Sequence, residues 1–164
     1  MNSEKEYLQN SRPQVRIGHI NIKVSDLERS LVFYRDQLGF KVIKRIGNAA
    51  AFLAYSDYHH DLCINTWDSL GGLPPQKGNT GLFHLAILFP DKEELNLVYN
   101  RLKTAGITID AFVDHGVNES VYLRDPDENG IELYCDRHES LWWDENRELK
   151  MHYIPSDADK LFNV

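Results

Sequence analysis

The chain has 164 residues, 42% of them hydrophobic and 26% charged, a composition that suits a globular protein and excludes a disordered or fibrous one. That length fits one domain, 1–164, and leaves little room for two. A net charge of −7 argues against nucleic acid as a partner, because phosphate binding needs a basic face.

The N-terminal stretch Met1 to Arg16 is polar and mixed in charge, without the apolar core of a signal peptide. No apolar run approaches the ~20 residues of a membrane span, so no membrane attachment and a cytoplasmic location are expected. Cys63 and Cys135 are too few for a disulfide scaffold.

From His19 the residues alternate apolar and polar through Val24, as in a half-buried strand. Ser25-Asp26 offers a helix N-cap. Leu27, Leu31, Phe33, Tyr34 and Leu38 then follow at helical spacing, and Gly39 can end the helix. Strands are expected at 40–46, 49–55 and 62–67, with turns at Gly47-Asn48 and Ser56-Asp57. Residues 68–80 form a Gly/Pro-rich linker.

The pattern then begins again at His84-Leu85-Ala86-Ile87-Leu88-Phe89. A shift of 65 residues places His19 on His84, Ile22 on Ile87, Asp26 on Asp91 and Tyr34 on Tyr99. Asp91 caps a helix carrying Leu95, Val98, Tyr99 and Leu102, and Gly106 ends it. Strands are expected at 108–113, 120–124 and 130–135. Each copy reads βαβββ. The fold class expected is therefore α+β: two paired βαβββ modules (about 15–67 and 81–137) forming one curved mixed sheet with a concave metal-binding face, followed by a tail, 138–164.

His19 and His84 hold equivalent places in the two copies, and equivalent strands would bring them together across a pseudo-twofold axis. Glu132 interrupts the otherwise apolar Gly130-Ile131-Glu132-Leu133-Tyr134, where a carboxylate is costly unless paired or bound to a cation. Two imidazoles and one carboxylate on one face form a triad with open positions, suited to Fe(II) or Mn(II).

Several segments carry a resemblance beyond the repeat. They are Gly18-His19-Ile20 with Ser25-Asp26-Leu27-Glu28-Arg29-Ser30-Leu31, Tyr58-His59-His60 with Asn65-Thr66-Trp67, Gly81-Leu82-Phe83-His84, and Tyr122-Leu123-Arg124-Asp125-Pro126-Asp127. Together they resemble the vicinal oxygen chelate superfamily (glyoxalase I, bleomycin-resistance proteins and extradiol dioxygenases), and within it the catechol 2,3-dioxygenase-like proteins. The resemblance implies metal ligation by His19, His84 and Glu132. It also implies a catalytic histidine at His60, with His59 as rival, a tyrosine at Tyr122 and a histidine at His115. The implied reaction joins a small catecholic or related aromatic substrate to dioxygen, with Fe(II) first and Mn(II) next.

A glyoxalase-like isomerase or thiol transferase using Zn(II) or Ni(II) is the alternative, as is a metal-free ligand-sequestering protein. The glyoxalase pattern has a further glutamate on the strand symmetric to that of Glu132, and Cys63 stands there. Symmetric dimers are the usual prior, which makes a homodimer possible without fixing the oligomeric state. Trp142 and Trp143 in the tail have three readings: closing a pocket, filling a dimer interface or covering the sheet.

Overall fold

The computed structural model describes residues 16–162; the polar segment before Arg16 and the last two residues lie outside the described residues. The first module runs β1 (Ile20–Lys23), α1 (Leu27–Leu31), β2 (Lys41–Ile46), β3 (Ala50–Ala54) and β4 (Leu62–Asn65). The Asp26 side chain caps α1 by accepting from the Arg29 N–H at 3.0 Å. Beyond Leu31 the helix widens into a π-type segment, Val32–Gln37, with Leu38 N–H donating to Phe33 C=O at 2.9 Å. Both adjacent aromatic rings, Phe33 and Tyr34, are buried there.

The second module repeats the order as β5 (Leu85–Phe89), α2 (Lys92–Thr104), β6 (Ile109–Asp114), β7 (Asn118–Arg124) and β8 (Gly130–Asp136). Asp91 caps α2 through the Glu94 N–H at 2.9 Å. The tail adds a short strand, β9 (Ile154–Ser156), and a terminal helix, α3 (Ala158–Phe162).

Each module makes its own mixed sheet, with orders β1-β4-β3-β2 and β5-β8-β7-β6-β9. β1 pairs parallel with β4 and β5 with β8, and the remaining pairs are antiparallel. The expected βαβββ modules and mixed strands are present. The hydrogen-bonded sheet is divided in two, however, because among the described residues β1 and β5 are edge strands, each paired on one side only.

Packing and polar contacts join the modules instead. Leu27, Leu31 and Leu53 share one apolar cluster with Leu95, Leu123 and Leu133. The buried Tyr34 hydroxyl donates to Asp125 at 2.8 Å, which satisfies both groups across the boundary. Burial and the neighbouring carboxylate hold that phenol well above its ordinary pKa, so it remains a donor. Ser25 and Arg29 likewise reach the buried Asp127, at 2.6 and 2.5 Å.

Candidate active site

In a parallel pair, residues held at one register point to one face. Ala86 lies opposite Glu132 in the β5–β8 ladder, so His84, two residues before Ala86, shares the Glu132 face. The result is a contact of 3.0 Å between His84 Nε2 and Glu132 Oε2. Gly130 makes this approach possible: a Cβ there would stand 2.3 Å from the Phe83 carbonyl oxygen and 3.1 Å from His84 Cβ.

Glu132 is buried, and its second oxygen is fully engaged. Oε1 accepts from the Ser120 hydroxyl at 2.6 Å and the Tyr122 hydroxyl at 2.8 Å. Both donors come from β7, whose alternation puts residues 120 and 122 on one face, with Tyr122 opposite Glu132. Burial, followed by the bond to Glu132, raises the Tyr122 phenol far above its ordinary pKa, so it keeps its proton at neutral pH. Tyr122 in turn meets His115 Nε2 at 2.8 Å. His84, Glu132, Tyr122 and His115 therefore form one continuous polar chain on the second module. Deep in it, the buried Nδ1 of His84 has no hydrogen-bond partner among the described residues.

His19 and His60 form a separate cluster on the first module. Their rings lie 4.4 Å apart by centroids, and Phe52 packs on His60 at 5.1 Å. His59 Nδ1 and His60 Nδ1 are 2.6 Å apart, so the rival histidines share one hydrogen bond. Desolvation, then the neighbouring His19 and His59, lowers the His60 pKa and favours its neutral form. Among the described residues, no three His, Cys, Asp or Glu side chains come together closely enough to hold a metal ion. His84 and Glu132 are thus brought together, while His19 stays with His60.

The His19 end of β1 faces β5 across an open, mainly apolar groove of about 470 Å³, lined by Ile20, Phe40, Leu62, Leu85 and Phe89 among others. Cys63 occupies the counterpart of Glu132, lying opposite Asn21 as Glu132 lies opposite Ala86. Burial raises its thiol pKa, so it packs as a neutral group.

Ser120 is a site residue that the sequence reading missed; strand period two, applied backwards from Tyr122, would have found it. The main-chain carbonyl of His152, 2.9 Å from His115 Nδ1, carries no comparable signal.

This chain belongs to the Glyoxalase/Bleomycin resistance protein/Dioxygenase superfamily, whose family model matches residues 16–133. Over 138 residues it is 42% identical to a catechol-2,3-dioxygenase of Bacillus subtilis (strain 168), an alignment covering 84% of this chain and 46% of that protein. It is also 35% identical, over 122 residues, to biphenyl-2,3-diol 1,2-dioxygenase 3 of Rhodococcus globerulus, covering 74% of this chain and 63% of that one. The chain therefore spans between about half and under two thirds of the length of these relatives. A solved glyoxylase/bleomycin resistance protein/dioxygenase domain from Frankia sp. EAN1pec shares the fold, with a TM-score of 0.64 at 21% identity, covering 76% of this chain and all of that one. Among the described residues, no helix is long and apolar enough to cross a membrane.

Proposed function

We propose that this protein is a divalent-metal-dependent dioxygenase of the extradiol type, acting with dioxygen on a small catecholic or related aromatic substrate. The observation that carries this reading is the buried Glu132 carboxylate, held by Ser120 and Tyr122 on one oxygen and facing His84 on the other. The apolar core shared by both modules supports treating them as one functional unit.

The donor set fits a hard or borderline cation in part. An imidazole nitrogen and a carboxylate oxygen already converge from adjacent strands, and His19 is the third donor this reading requires. Iron(II) is the first choice and manganese(II) the next. When bound, the ion supplies Lewis-acid polarisation of the two substrate oxygens. Because His19 stays with His60 within one chain, a homodimer belongs to the same reading, with a second copy offering its His19.

The chain's own residues supply the rest. Ser120 and Tyr122 fix the orientation of Glu132, and a ligand held this way does not rotate out of place. Neutral His60 can accept a proton from a diol. His115 and Tyr122 hydrogen-bond to each other and Tyr122 also donates to Glu132, which stiffens the wall of the site on the second module.

With Cys63 a neutral packed thiol, the described residues place no second carboxylate at the first-module counterpart of Glu132, which weighs against a glyoxalase-like isomerase. The test is oxygen uptake with a panel of catechols by protein loaded with iron under anaerobic conditions. Uptake that is lost in His84→Ala is the expected result. Iron bound near stoichiometry with no uptake across the panel would overturn the reading. Turnover of a glutathione adduct with zinc or nickel would favour the isomerase or thiol transferase, and tight aromatic binding without metal would favour a sequestering protein.

A further inference from the structure

The tail reaches the candidate site by its main chain. β9 lies antiparallel to β6, with Ile154 opposite Asp114, Pro155 opposite Val113 and Ser156 opposite Phe112. Beyond it, α3 anchors the segment: Leu161 is buried in the shared core, and the Phe162 ring stacks on Tyr99 of α2 at 5.1 Å. Just before β9, the strap crosses the β6–β7 turn that carries His115. The His152 N–H donates to the His115 carbonyl at 3.0 Å, and the His152 carbonyl lies 2.9 Å from His115 Nδ1.

The turn beneath has room for this strap only because residue 116 is glycine. Its φ is +79°, and a Cβ there would stand 2.5 Å from His152 Cε1 and 2.6 Å from the Lys150 carbonyl oxygen.

A carbonyl oxygen can only accept, so the hydrogen in the 2.9 Å contact belongs to His115 Nδ1. The imidazole is then fixed with Nε2 toward the Tyr122 hydroxyl at 2.8 Å, and that hydroxyl is itself 2.8 Å from Glu132 Oε1. We propose that the strap of residues 150–156 is a positioning element of the candidate site. Its His152 main-chain carbonyl holds His115 with Nδ1 protonated and so presents Nε2 to the Tyr122–Glu132 pair. The Tyr153 ring, 5.9 Å from His115 in an edge-on arrangement, braces the same imidazole from the solvent side. The proposal rests on the reading above only in treating His115 and Tyr122 as parts of the site; the hydrogen on Nδ1 requires neither metal nor substrate.

The experiment is long-range proton–nitrogen NMR of the imidazoles in the full-length, nitrogen-15-labelled protein near neutral pH, with His115 assigned by its loss in His115→Gln. The expected wild-type spectrum has His115 protonated at Nδ1. His152→Ala keeps the carbonyl and is expected to keep that signature. Gly116→Ala pushes the strap away and is expected to lose it. In an active enzyme, Gly116→Ala should also lower kcat about tenfold with little change in KM, as for groups that orient a site residue. A wild-type His115 bare at Nδ1 overturns the proposal. So does a His152→Ala protein that loses the signature, or a folded Gly116→Ala protein that keeps it. If Gly116→Ala does not fold, the wild-type and His152→Ala spectra decide. An intact Nδ1 signature in a protein with no oxygen uptake sinks the dioxygenase reading and leaves the strap standing.

Discussion

The two modules share strand order and register but not chemistry. Where the second module has Tyr122 opposite Glu132, the first has Phe52 opposite Cys63. Where the second has Ser120 opposite Tyr134, the first has Ala50 opposite Asn65. Three polar side chains that satisfy one another thus stand where the first module has three that need no partner. A carboxylate in such a strand requires donors on the neighbouring strand, and only the second module provides them. The backbone repeat makes both faces available, and the side chains decide which one can carry charge.

The largest effect should come from removing the histidine on the charged face. His84→Ala is expected to lower metal content and turnover on the order of 100-fold or more, read by elemental analysis and oxygen uptake. Retained metal would shift the centre of the site to the His19–His60 cluster.

Moving the carboxylate is the next test. Cys63→Glu places the charge between Asn21 and Phe52 without hydroxyl donors and should cost about 3 kcal/mol or more in denaturant unfolding. Adding Ala50→Ser and Phe52→Tyr should recover part of that loss. A Cys63→Glu protein as stable as the parent would break the comparison.

Tyr122→Phe removes one of two hydroxyl donors to Glu132 Oε1, and about 1–2 kcal/mol of stability should go with it. No change in the unfolding midpoint would mean that the contact is replaced by water.

The smallest effect concerns Asp114, beside the turn that holds His115. Burial opposes its ionisation, but the Gly116 N–H, the Arg137 guanidinium and the neighbouring His152 outweigh this and lower its pKa. A carboxylate with a folded pKa below its unfolded value of about 3.9 contributes stability above that value and loses it as pH falls through the folded pKa. Asp114→Asn should therefore be less stable than the parent by under about 1 kcal/mol at neutral pH, with the gap closing below about pH 4. A constant gap across that range would assign the effect to packing.

Much of this arrangement was readable in the sequence. The offset of His84 from His19 located the second module, and Asp26 and Asp91 cap their helices as their positions implied. Glu132 was legible because a carboxylate in an apolar strand demands an explanation. The separation of His19 from His84 was not, since strand equivalence says nothing about how two sheets are set against each other. Nor was β9, a three-residue strand containing Pro155 that is held by β6 rather than by its own propensity. The contact between His115 and the His152 carbonyl joins residues 37 apart through a main-chain atom, to which residue identity is blind.

Gly130 carries a consequence of a different kind. Its missing Cβ is what lets β8 lie against the start of β5, so the distance between Glu132 and His84 is set by the absence of one carbon. Exchange of a single hydrogen for a methyl group there would press on the Phe83 main-chain oxygen and wedge the pair apart. Such a lesion would strike the backbone ladder and the site together, and would be read as a lower unfolding midpoint with weaker binding.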